Sequence, residues 1–62
     1  MDTFDFIVSE YQDRMKMLSD AMARGQCVSM EEYKFASGQF RGLEVACAIV
    51  QDLKQKMESA DE

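Results

Sequence analysis

Two thiols and two adjacent carboxylate pairs are the groups in this 62-residue chain with chemistry to offer: Cys27, Cys47, Glu31-Glu32 and Asp61-Glu62. A thiol can serve as nucleophile, redox centre or soft metal ligand, and paired carboxylates can share acid–base work. Each of these uses needs partners. The chain has no His, so a Ser-His-Asp or Cys-His centre within it is impossible, and so is imidazole ligation of a metal. Neither cysteine lies in a C-x-x-C pair, and four soft ligands for zinc are not present. No calcium loop of the D-x-D-x-D-G type and no glycine-rich phosphate loop occur. Glu31-Glu32 reads as part of a helix start and Asp61-Glu62 as part of a polar tail. No catalytic, cofactor-binding or metal-binding residues are assigned, and the chain is read as non-enzymatic.

The elements that carry these residues are helical. There is no Pro and there are only three Gly. Phe4, Val8, Tyr11, Met15, Leu18 and Met22 follow one another in steps of four and three, a heptad seam rather than a strand alternation. A helix over about 4–24 follows, with Thr3 or Asp2 as N-cap. Asp5 in its first turn and Arg24 in its last complement the macrodipole. Gly25 suits the left-handed position after its end. Glu10–Arg14 and Asp20–Arg24 are spaced for helical ion pairs.

Ser29-Met30-Glu31-Glu32 reads as a capping box, in which Ser29 accepts from the Glu32 amide and Glu32 reaches back to the Ser29 amide. Val28 and Tyr33 are spaced for the accompanying hydrophobic staple. The second helix is expected over about 30–58, with a seam of Tyr33, Ala36, Phe40, Leu43, Cys47, Val50, then Leu53 or Lys54, then Met57. Residues 59–62 are expected to fray. The short connection Gly25-Gln26-Cys27-Val28 forces the helices antiparallel. At 1.5 Å per residue they span roughly 31 Å and 43 Å, so the second overhangs the first by about a turn or two. Residues 1–62 thus form one all-α domain, an antiparallel two-helix hairpin. Its cysteines, Cys27 in the connection and Cys47 about 20 residues later on the second helix, are too far apart to bridge. Cys47 is expected to be buried and inert, and Cys27 more exposed.

A lone hairpin has one interface, and the second helix carries more apolar surface than one neighbour covers. Beside its seam runs a second stripe of Phe35, Gly42, Ala46, Ile49 and Leu53, and the first helix has a smaller off-seam pair, Phe6 and Met17. Two hairpins packed back to back as a four-helix bundle, with the second helix central and a twofold axis, would cover them. Gly38, Gly42 and Ala46 form a ridge of small residues. Three readings apply to it: a close crossing with another helix, relief of crowding against Phe4 or Tyr11, or a break near Ser37-Gly38. The interaction residues assigned are therefore Phe35, Gly38, Gly42, Ala46, Ile49 and Leu53. Met15, Met22 and Met57 read as core filler, and Met17 and Met30 as adaptable contact surface.

Seven Lys/Arg against 12 Asp/Glu give a net charge of −5, and the basic residues form no cluster. That argues against a nucleic-acid binder. The longest apolar run, residues 45–50, is far below the roughly 20 residues of a membrane span. Met1 is followed by acidic Asp2, so no secretory signal is expected. Two unpaired cysteines suit a reducing, cytoplasmic setting.

Met30-Glu31-Glu32-Tyr33, Gly38, Arg41-Gly42-Leu43-Glu44, Ala46, Ile49 and Asp52-Leu53 follow Leu18, Gly25 and Cys27. This pattern resembles that of a group of short helical proteins encoded by tailed bacteriophages. The resemblance covers about 40 residues and implies a phage protein in the host cytoplasm or in the virion. In overall plan the chain is also similar to the Rop-type helical-hairpin dimer, although its acidic balance speaks against RNA as a ligand. The expected function is that of a small interaction or structural protein. It would self-associate and dock on another phage or host protein in virion assembly. The alternative is an acidic inhibitor of a host enzyme that binds nucleic acid. The two differ in salt dependence, since only the second relies on screened charges.

Overall fold

A computed structural model describes residues 2–60 as two α-helices, α1 (Thr3–Ala23) and α2 (Met30–Ala60), joined by residues 24–29. They pack side by side as an antiparallel hairpin, a slab of 51 × 19 × 11 Å. The shortest dimension is one helix thick.

Local chemistry sets each helix end. Asp2 caps α1: the Asp5 amide donates to its Oδ1 at 2.8 Å, and the Phe6 amide donates to its carbonyl at 3.0 Å. The helix therefore starts at Thr3, one residue earlier than expected. Its other end is a Schellman motif. Arg24 is the C-cap and Gly25 takes φ +74°, a conformation that strains any residue with a Cβ. The Gly25 amide donates to the carbonyl of Met22 at 3.2 Å, and the Gln26 amide donates to that of Ala21 at 3.1 Å. Arg24 is thus the cap itself, and no basic residue lies in the last turn of α1.

The start of α2 follows the expected box with one change. The Glu32 amide donates to Ser29 Oγ at 3.1 Å. Glu32 Oε2, however, accepts from the amide of Val28 at 2.8 Å, not from that of Ser29. The carboxylate reaches one residue further because the chain turns sharply into the helix. Val28 points outward and is 84% exposed, so the staple with Tyr33 is not made. At the other end α2 runs unbroken through Ser37-Gly38 and on through Ser59-Ala60. The break near Ser37-Gly38, one of the three readings of the small-residue ridge, does not occur, and the helix outlasts the expected end at 58. Asp61 and Glu62, the rest of the expected tail, lie outside the described residues.

The seams meet as the heptads require. Phe4, Val8, Tyr11, Met15, Leu18 and Met22 are half-buried against Ala36, Phe40, Leu43 and Val50 of α2. Cys47 is the only buried residue among those described, at 8% exposure. Lys54, not Leu53, takes the next seam position and is half-buried. Met57, expected as core filler, is 56% exposed, because it lies beside the run that faces α1 rather than on it. Tyr33 is likewise exposed, beyond the reach of the end of α1.

Lys54 fixes the register. Its Nζ lies 2.6 Å from Asp5 Oδ1 and 3.4 Å from Asp2 Oδ2. The last residues of α2 consequently run past the start of α1 by about one turn. The expected pairs Glu10–Arg14 and Asp20–Arg24 do not close, whereas Lys56–Asp52 at 2.9 Å and Arg41–Glu44 at 3.9 Å do.

Candidate interaction surface

The hairpin has two unlike broad faces. At 3.6 residues per turn, Phe35, Gln39, Gly42, Ala46, Val50, Leu53 and Met57 fall along one flank of α2. Between Phe35 and Met57 this flank carries no charge. Lys34, Arg41, Glu44 and Asp52 fall on the opposite flank. On the uncharged side a groove of about 640 Å³ runs between the helices. It is lined by Arg14, Met17, Leu18 and Ala21 of α1, by Gln39, Gly42 and Leu43 of α2, and by Gln26 of the connection. The flank of α1 that borders it is mostly apolar, with Glu10 and Arg14 as its charged residues.

Of the six residues assigned from the sequence, Phe35 (70% exposed), Ile49 (55%) and Leu53 (46%) stand out in solvent. Ala46 is half-buried at the edge of the helix–helix seam. Gly42 lines the groove, and Gly38 lies round the helix from it. A methyl group built on either glycine would meet nothing within 4 Å. Crowding within the hairpin therefore does not explain them, and Phe4 and Tyr11 do not press against them. Gly38 lies at the outer edge of this stripe, eleven residues from Ile49 and so facing nearly the same way.

Gln39, Val50 and Met57 belong to this surface and were not assigned to it from the sequence. Val50 and Met57 continue the seam heptad, so periodicity alone places them with the core. Met57 lies beside the run that faces α1 and, past Lys54, near the level where α1 begins, so it is left exposed. Phe6 and Met17, the off-seam pair of α1, are both exposed as expected, and so is Met30.

Packing one helix against one other leaves much surface uncovered. The accessible surface is 4976 Å². A compact monomer of 7.1 kDa presents about 4100 Å². The surplus of about 900 Å² is close to the roughly 800 Å² that one partner contributes to a standard protein–protein interface.

Among the described residues no three Cys, Asp or Glu side chains stand together as metal ligands. Both cysteines are free, Cys47 in the seam and Cys27 half-buried in the connection. At the open end of the hairpin, charge is balanced locally. The Asp5 amide, assisted by Lys54, holds the Asp2 carboxyl below its ordinary value. The bond to Asp5, with a further one to Asp2, raises the Lys54 ammonium above its own. No helix among the described residues is long and apolar enough to cross a membrane. No protein-family model, curated protein or solved structure matches this chain.

Proposed function

We propose that this chain is a non-enzymatic interaction module that works as a homodimer. Two hairpins pair through the face that carries the uncharged flank of α2 into a four-helix bundle, and the bundle docks on another protein. The observation that carries this reading is the surplus of accessible surface, together with a flank without charge along α2 that exposes Phe35, Leu53 and Met57. Exposed apolar faces of this extent are uncommon on a lone soluble domain and mark contact surfaces. A chain of this size whose described residues form neither a disulfide nor a cluster of metal ligands gains core most directly from a second copy. The sequence resemblance to short tailed-phage proteins supports a phage or host protein as the further partner, with virion assembly as the setting.

Sedimentation equilibrium across a concentration series, with circular dichroism on the same samples, tests the dimer. Wild type is expected as a helical dimer. Leu53→Asp, which places charge on the exposed flank and removes little from the hairpin seam, is expected as a helical monomer. A wild-type chain that stays monomeric throughout the series would overturn the reading.

A further inference from the structure

Resting on the homodimer reading, we infer that the second copy docks with α1 over α1 and α2 over α2, each pair antiparallel. The twofold axis passes level with Ala46 of α2 and with position 12 of α1. The basis is where the small residues of α2 and the opposite charges of α1 fall, together with one register. On α2, Ala46 lies midway along the uncharged flank from Phe35 to Met57. Gly42 and Val50 lie four residues to either side, Gln39 and Leu53 seven, and Phe35 and Met57 eleven. An antiparallel pair of α2 helices crossing at Ala46 therefore sets Phe35 against Met57 of the other copy and Gln39 against Leu53. The small residues Ala46 and Gly42 then fall at the centre, where the helices approach most closely.

On α1, the flank bordering the groove is symmetric about position 12. Glu10 and Arg14 lie two residues to either side, Ile7 and Met17 five, and Thr3 and Ala21 nine. A crossing there sets Glu10 of each copy against Arg14 of the other, two ion pairs of opposite sign. These two residues do not pair within the chain, although they are spaced to do so.

The α2 centre rests on small residues and the α1 centre on opposite charges, and the fold brings the two level. Lys54 sits on Asp5 and Asp2. Eight residues back from Lys54 is Ala46, which in an antiparallel pair comes level with positions 10 to 13 of α1. Position 12 falls inside that window, so one axis serves both helices. The slab face, 51 Å by 19 Å, offers about 1000 Å², enough for the roughly 800 Å² per partner of a stable interface. The other face-to-face arrangement, with the axis along the helices, lays α1 over α2. It buries Glu10 and Arg14 against the uncharged flank without partners, which is unfavourable.

A charge-complementation experiment tests the arrangement, with association measured by sedimentation equilibrium and helicity by circular dichroism. Both side chains are exposed, so Glu10→Arg and Arg14→Glu leave the hairpin folded. Each variant alone sets like charges opposite and is expected to associate about tenfold more weakly than wild type. Mixed in equal amounts, they set Arg against Glu at both crossings, and association is expected to recover. Independently, Ala46→Cys in a Cys27→Ser, Cys47→Ala background is expected to oxidise to a covalent dimer, while Gln39→Cys in that background is not. A wild-type dimer whose charge variants do not rescue each other, or one that links through Gln39→Cys in preference, overturns this arrangement and leaves the dimer reading standing. A wild type that never dimerises removes both.

Discussion

Lys54 Nζ donates to Asp5 Oδ1 at 2.6 Å, a side-chain hydrogen bond across the hairpin between residues 49 apart in sequence. It ties the first turn of α1 to a seam position of α2 that would otherwise hold an apolar side chain. The aliphatic stem of Lys54 covers the seam while its head reaches the acidic cap.

The clamp is expected to work in a window of pH. The Asp2 carboxyl is held low, chiefly by the Asp5 amide, so its contribution is complete above the ordinary carboxylate pKa of about 4. It fades as pH falls through the lower folded value. The Lys54 ammonium is held high, chiefly by Asp5, so its contribution is complete below about 10.4. It fades as pH rises through the higher folded value. Melting temperature followed from pH 2 to 12 should show both declines. Lys54→Met should remove the alkaline decline and keep much of the acid one, because the Asp5 amide remains.

The three glycines are expected to respond differently to Ala. Gly38→Ala meets open space in a regular helix and should raise stability by about 1 kcal/mol. Gly25→Ala forces a Cβ into φ +74° and should lower stability by about 1 kcal/mol or more. Gly42→Ala should stabilise the dilute hairpin as Gly38→Ala does, yet weaken association, because the added methyl lies on the face given to the second copy. Thermal melts at low and high protein concentration separate these effects.

The two thiols are expected to label at different rates. Cys27 is half-buried in the connection, and a thiol reagent should modify it quickly in the native protein. Cys47 should react only as fast as the hairpin opens. Cys47→Ser places a hydroxyl in the seam and is expected to cost about 1–3 kcal/mol, the range for a buried polar group without a partner. Cys47→Ala should be milder. Mass spectrometry of timed labelling and urea titrations measure the two effects.

Ser29→Ala removes the acceptor of the Glu32 amide and is expected to cost about 1 kcal/mol. Val28→Ala should change stability little, since Val28 packs against nothing. Had the expected staple formed, Val28→Ala would be the costly change, so urea titrations of the pair report on the geometry of the turn.

The helices, their order and most of their ends were legible in the sequence, because the causes are local. The seam from Phe4 to Met22 is a heptad, Gly25 is suited to a left-handed position, and Ser29 with Glu32 can cap a helix. What the sequence left open depended on the neighbour. Leu53 and Lys54 compete for one seam position, and the first turn of α1 decides for Lys54 by supplying two carboxylates. Val50 and Met57 look like core until the length of α1 shows where cover ends. The reach of Glu32 to Val28 rather than to Ser29 follows from the path of the turn, which no residue spacing encodes. The exposed stripe from Phe35 to Leu53 was legible as a pattern, and its emptiness on the outer side became visible only in three dimensions.

A slab 11 Å thick holds almost none of its peptide groups far from water. Proteases act on chains that open, and a sheet of two helices has little to keep it shut. If a second slab closes over the first, resistance to digestion becomes a property of abundance. Scarce copies would be degraded soon after synthesis, and copies made in bulk would shelter one another. The cell would then hold either very little of this protein or a great deal.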